Sequence, residues 1–157
     1  MNEFVLARVL HVLGVVLWIG GVAMVTTVLI PAMAQMRSPA ERREFFQRVE
    51  SRFAPQARLT TLLVGVSGFY MVHILGAWDR FTQPSYWWMH AMVLIWLLFS
   101  VMLFVIEPRV LRRQVTDTAV QDAEERFVRM RRMHRIMLAL SLITVAGAVA
   151  GSHGWMP

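Results

Sequence analysis

The chain has 157 residues, of which 57% are hydrophobic, and a formal net charge of +6; soluble domains hold only about 45–50% apolar residues. It contains no cysteine, which excludes disulfides, thiolate metal sites, iron–sulfur clusters and covalent c-type heme attachment. All sixteen cationic residues are Arg, and they flank apolar stretches. That is the arrangement of lipid anchors rather than of a nucleic-acid surface, so no nucleic-acid partner is expected.

The first apolar stretch runs from about Phe4 to Met33. It is long enough to span a bilayer, which takes about 20 residues. Glu3 precedes it and no clear small-x-small cleavage site stands out, so it reads as a span rather than a signal peptide. Within it His11, Gly14, Trp18 and Gly21 are spaced three, four and three residues apart. They share one seam of a helix, continued by Val25 and Val28.

The connection 35–58 carries Arg37, Arg42, Arg43, Arg48, Arg52 and Arg58. Ser38-Pro39-Ala40-Glu41 is a capping box with Pro at the first helical position. Phe45, Phe46, Val49 and Phe53 then fall on one side of a helix over about 39–53. The pattern predicts an amphipathic helix on the inner leaflet. The second apolar stretch covers Leu59–Ala77, and a short turn, Trp78–Ser85, holds Arg80 balanced by Asp79.

The third stretch covers Tyr86–Ile106 and is followed by a connection, Arg109–Arg132, with seven further arginines. Thr118-x-x-Gln121 is a second capping pattern, and no Pro or Gly interrupts the sequence from there to Gly147. The expectation is a long fourth helix over about 118–151 whose membrane part is Met133–Gly151. Both Arg-rich connections belong on the cytoplasmic side. The reading is therefore a single-domain, all-α membrane protein: a four-helix up-and-down transmembrane bundle with a short amphipathic cytoplasmic helix. It places the chain in a bacterial inner membrane as a multi-pass protein with both termini on the periplasmic side.

This topology sorts the histidines. His11, His73, His90 and His153 come to the outer side, one per helix, and His134 to the inner. An ionisable side chain within a span is costly and marks a functional candidate. Two imidazoles can ligate heme iron from both faces, and glycines on facing seams, Gly14, Gly21, Gly65, Gly68 and Gly76, would leave room for a flat macrocycle. Arg8 and Arg80 are the outer cations suited to heme propionates. Copper is the alternative, because Met71, Met89, Met92 and Met156 lie near His73, His90 and His153, and thioethers with imidazoles suit Cu(I). The sequence shows no phosphate loop, no His-Glu-x-x-His and no nucleophile motif. Glu107 reads as the partner of Arg109 or another neighbouring Arg rather than as a proton relay.

The stretch Leu10-His11-Val12-Leu13-Gly14-Val15-Val16-Leu17-Trp18-Ile19-Gly20-Gly21 resembles the first-helix motif shared by CopD-like copper-resistance membrane proteins and HemJ-type protoporphyrinogen oxidases. Trp88-Met89-His90 resembles the Trp-x-His that opens helix three in HemJ-type proteins. The resemblance implies a heme- or copper-related membrane protein with His11 as a ligand. Met92 stands where HemJ-type proteins carry Lys, and Ala32-Met33 follow Pro31.

Taken together, the first expectation is a b-type heme protein with His11 and either His73 or His90 as axial ligands. It would move electrons between a membrane donor such as quinol and a periplasmic redox partner, and so could be a membrane oxidoreductase. The other expectations are a CopD-like copper transport or delivery protein using His11, His73, His90 and His153, a non-catalytic subunit of a larger respiratory complex, and a HemJ-type protoporphyrinogen oxidase; a homo-oligomer is the alternative to a periplasmic redox partner.

Overall fold

The computed structural model describes residues 2–36, 38–109 and 121–154. These are helical, with no strand among them. Four helices are long and apolar enough to cross a membrane: Asn2–Ala34, Ala40–Ile74, Pro84–Arg109 and Glu124–Ser152. The first comprises α1 (Asn2–Met24), a π-helical turn (Val25–Leu29) and α2 (Ile30–Ala34). The second is α3 (Pro39–Ile74). The third is α4 (Trp87–Val101), continued by a π-helical turn (Met102–Ile106), and the fourth is α5 (Gln121–Ser152). Two short 3₁₀ turns, Ala77–Thr82 and Pro84–Tyr86, link α3 to α4. Gly76, at φ 59°, supplies the left-handed residue that ends α3.

Cross-helix contacts fix an antiparallel order. Gly14 meets Val64 while Gly21 meets Phe53, so α1 and α3 run in opposite directions. Gly65 meets Trp96 while Arg58 pairs with Glu107, and Gly147 and Gly151 meet Trp87 and Trp88. The result is the up-and-down four-helix bundle expected of this pattern. One end carries the aromatic turn, and the other is rich in Arg.

The amphipathic segment differs from the expectation in one respect. It is not a separate helix but the first half of the 36-residue α3. Ser38 caps it, its Oγ accepting from the Glu41 N–H at 3.4 Å. The Phe face is covered by protein: Phe45, Phe46, Val49 and Phe53 pack around Val25, Leu29, Ile30, Met33 and Phe127. Burying those rings against α2 and α5 competes with lipid for the same apolar face. Arg42 clamps this region. It donates to Glu124 at 2.8 Å and to the Met36 carbonyl at 3.0 Å, and its guanidinium lies 4.6 Å from the Phe127 ring centre.

Both π turns precede a proline by the same interval, Pro31 and Pro108. In each, the residue after the turn bonds five residues back: Ile30 N–H to the Val25 carbonyl and Glu107 N–H to the Met102 carbonyl. The following proline has no N–H to continue that register. At Pro108 this leaves the Leu103 carbonyl, which takes Arg58 Nε at 3.4 Å.

The mid-bundle core is Trp18, Ile19, Val22, Val64, Ile95, Phe99, Met137 and Leu138. The outward surface is apolar, with residues such as Leu6, Val16, Val66, Leu94 and Ile143 exposed, as a lipid-facing surface requires. Thr118, Arg112, Arg113, Trp155 and Met156, which figure in the sequence expectations, lie outside the described residues, as does Arg37.

Candidate functional site

The seam begins with a histidine held by a carbonyl. His11 Nδ1 lies 3.1 Å from the Val64 carbonyl oxygen and 3.2 Å from Ser67 Oγ. The Ser67 hydroxyl proton is already directed to the Leu63 carbonyl. A carbonyl only accepts, so the network assigns the proton to Nδ1, donated to Val64 and shared with Ser67. Nε2 then keeps its lone pair. This is the arrangement by which proteins orient an imidazole ligand: one nitrogen fixed by a carbonyl, the other free to bind. The ring lies over Gly68, where an added Cβ would come within 3.1 Å of Cε1.

The rest of the seam is filled by the chain's own side chains. A Cβ at Gly14 would meet Val64 at 2.8 Å, and one at Gly21 would meet the Phe53 ring at 2.6 Å. Gly65 receives Trp96, whose Nε1 donates to the Thr61 carbonyl at 2.9 Å. The expectation that these glycines leave space for a macrocycle is corrected at Gly14, Gly21, Gly65 and Gly68, whose notches seat side chains of neighbouring helices, while a Cβ at Gly76 would meet nothing within 4 Å. Trp18 belongs to the core, edge-on to Phe99 at 4.9 Å, and is only 4% exposed.

The four expected ligands share one end of the bundle but do not gather. Among the described residues no three His, Asp or Glu side chains come together as a metal-binding group. His90 donates Nε2–H to the Phe81 carbonyl at 2.8 Å and meets the Phe81 ring edge-on. His153 bonds the Val149 carbonyl of its own helix at 2.8 Å. His134, at the Arg-rich end, does the same with Met130 at 3.0 Å. His73 is exposed at the end of α3 and has no side-chain hydrogen bond among the described residues. Arg8 is exposed on α1, whereas Arg80 is stacked 5.2 Å from the Tyr86 ring centre. Around it the turn forms an aromatic cluster of Phe69, Trp78, Phe81, Trp96, Tyr86 and Trp88.

At the Arg-rich end the structure builds a second polar site. Arg58 donates to Glu107 at 2.8 Å, so the partner of Glu107 comes from α3 and not from Arg109. Glu50 lies in the same cleft, of about 300 Å³, with Gln47, Ser51 and Pro55. Its Oε2 is buried without a hydrogen-bond partner among the described residues. In the sequence, Arg58 counts as one of six connection arginines. The sign that sets it apart is its place directly before the apolar run Leu59–Val66.

A family model described as a predicted integral membrane protein, DUF2269, matches residues 5–150. The chain belongs to the DUF2269 family. The match covers all four spans and so makes this an integral, multi-pass membrane protein in contact with lipid. It supports membrane-protein membership and not the CopD-like or HemJ-like assignment. No curated protein and no solved structure matches the chain.

Proposed function

We propose that this DUF2269 protein is a b-type heme protein of the bacterial inner membrane that passes electrons from a membrane donor such as quinol to a partner at the aromatic end. The observation that supports the reading is the His11 arrangement: Nδ1 fixed to the Val64 carbonyl 53 residues away, which leaves Nε2 with its lone pair on a half-buried ring. A histidine placed only to satisfy packing has no need of an oriented free nitrogen, and in a span it carries a desolvation cost.

The residues fit heme in part. His11 would offer one nitrogen to the iron; of the other outer histidines, His90 has Nε2 engaged by Phe81, which leaves exposed His73 as the imidazole that could supply a second. The exposed Arg8 is the cation available for a propionate. The seam glycines offer no slot, so the macrocycle would lie outside the filled α1–α3 interface. Bound heme supplies a one-electron Fe(III)/Fe(II) couple. The chain's own task is to orient the ligand through Val64 and Ser67 and to exclude water with its apolar helices.

A reduced-minus-oxidised spectrum with pyridine-hemochrome analysis of protein from heme-replete cells tests the reading. Wild type is expected to show b-type bands that His11→Ala lowers at least tenfold while the variant remains monodisperse. No heme bands in wild type, or unchanged bands in His11→Ala, would overturn it. Metal analysis of the same sample separates copper: copper without heme assigns the CopD-like reading instead.

A further inference from the structure

Six hydroxyls on these helices satisfy themselves locally. Thr26, Thr27, Thr60, Ser67, Ser141 and Thr144 each donate to the carbonyl four residues earlier, the usual habit of Ser and Thr in helices. Thr61 and Ser100 depart from it. Thr61 is fully buried at 0% exposure, and neither its Oγ1 nor Ser100 Oγ has a hydrogen-bond partner among the described residues. Trp18, 4% exposed, has an Nε1–H in the same position, buried and without a partner.

The helix register puts these three groups at one level. Gly65 against Trp96 and Arg58 against Leu103 bracket the α3–α4 contact. Stepping antiparallel between them sets Thr61 opposite Ser100. Trp18 packs edge-on against Phe99, the residue before Ser100, and shares the core with Val64, one turn from Thr61. Three donors on α1, α3 and α4 therefore lie within about one helical turn of the same level of an apolar bundle, where an unmatched donor is costly. One water oxygen can accept from the Trp18 N–H and the Thr61 O–H and turn one of its protons to Ser100 Oγ.

We propose that Trp18, Thr61 and Ser100 form an internal water site that joins three helices at mid-bundle. A water meets the requirement because it is small enough for a close-packed core and makes two to four hydrogen bonds. The site is independent of His11 and of any heme: it lies one to two helical turns further into the bundle and uses none of the His11 contacts.

The test uses the intact protein in detergent micelles with indole-¹⁵N-labelled Trp, the Trp18 resonance being assigned by its loss in Trp18→Phe. The Trp18 N–H is expected to show a magnetisation-transfer cross-peak to water and slow exchange. An indole resonance with no water contact overturns the proposal. Thermal unfolding supplies a second reading through the sign of the change. If a water bridges the hydroxyls, Thr61→Val and Ser100→Ala each lower Tm by several degrees. Thr61→Ser, which keeps the hydroxyl, then stays close to wild type, and the double variant loses less than the two singles together. If the hydroxyls have no partner, removing them relieves a buried polar group, so Tm in Thr61→Val and Ser100→Ala at or above wild type overturns the site.

Discussion

At His11 the decisive contact is with a main-chain atom. The Val64 carbonyl fixes Nδ1, and Gly68 gives the ring its seat. The identity of His11 as a candidate was legible from the sequence, because an imidazole inside an apolar run needs a reason. Its partners were not, since a carbonyl is offered by every residue and only the α1–α3 register selects Val64. The seat predicts the effect of Gly68→Val. Its Cβ would lie 3.1 Å from Cε1 and 3.3 Å from Nδ1 of His11, and the two methyls add to that. The ring must leave, the Val64 bond breaks, and the overpacked site loses about 1–3 kcal/mol. Thermal unfolding should show the loss, and the heme bands should fall as they do in His11→Ala. Retained bands in a destabilised Gly68→Val would separate packing from ligation.

Among the elements, α1 shows how adjacent identical residues can have opposite roles. Gly20 and Gly21 are neighbours, but a Cβ on Gly20 meets nothing within 4 Å while one on Gly21 meets the Phe53 ring at 2.6 Å. Gly20→Ala is therefore expected to stabilise by up to about 1 kcal/mol through helix propensity. Gly21→Ala is expected to destabilise by about 1–3 kcal/mol, because Phe53 is itself wedged in the Phe cluster and cannot swing clear. Unfolding midpoints of the two single variants check the opposed signs. The spans and their glycine seams were legible, since apolar length and helical spacing are local properties. The continuity of α3 was not. Seven charges in 40–52 read as a surface helix distinct from the span, and only the packing of Phe45, Phe46 and Phe53 onto α2 and α5 shows the two to be one helix.

Across the whole molecule, the α3–α4 contact at the Arg-rich end rests on Arg58 and Glu107, with side chains 35% and 15% exposed. Removing one charge strands the other. Glu107→Gln should cost about 1–2 kcal/mol, less than the 3–5 kcal/mol of a fully buried pair because solvent reaches Arg58. Arg58→Leu combined with Glu107→Leu should recover most of that loss in the same unfolding assay. The arginine asymmetry of the whole chain predicts that this Arg-rich end faces the cytoplasm. The chain lacks Cys, so single cysteines report orientation without background. Gln83 in the aromatic turn and Glu125 near the start of α5 are both exposed and lie at opposite ends. In intact cells a membrane-impermeant maleimide should label Gln83→Cys and spare Glu125→Cys until the membrane is opened. The reverse pattern would invert the bundle. It would place His11 and His73 on the cytoplasmic side, and the electron acceptor proposed for the aromatic end would have to be a cytoplasmic one.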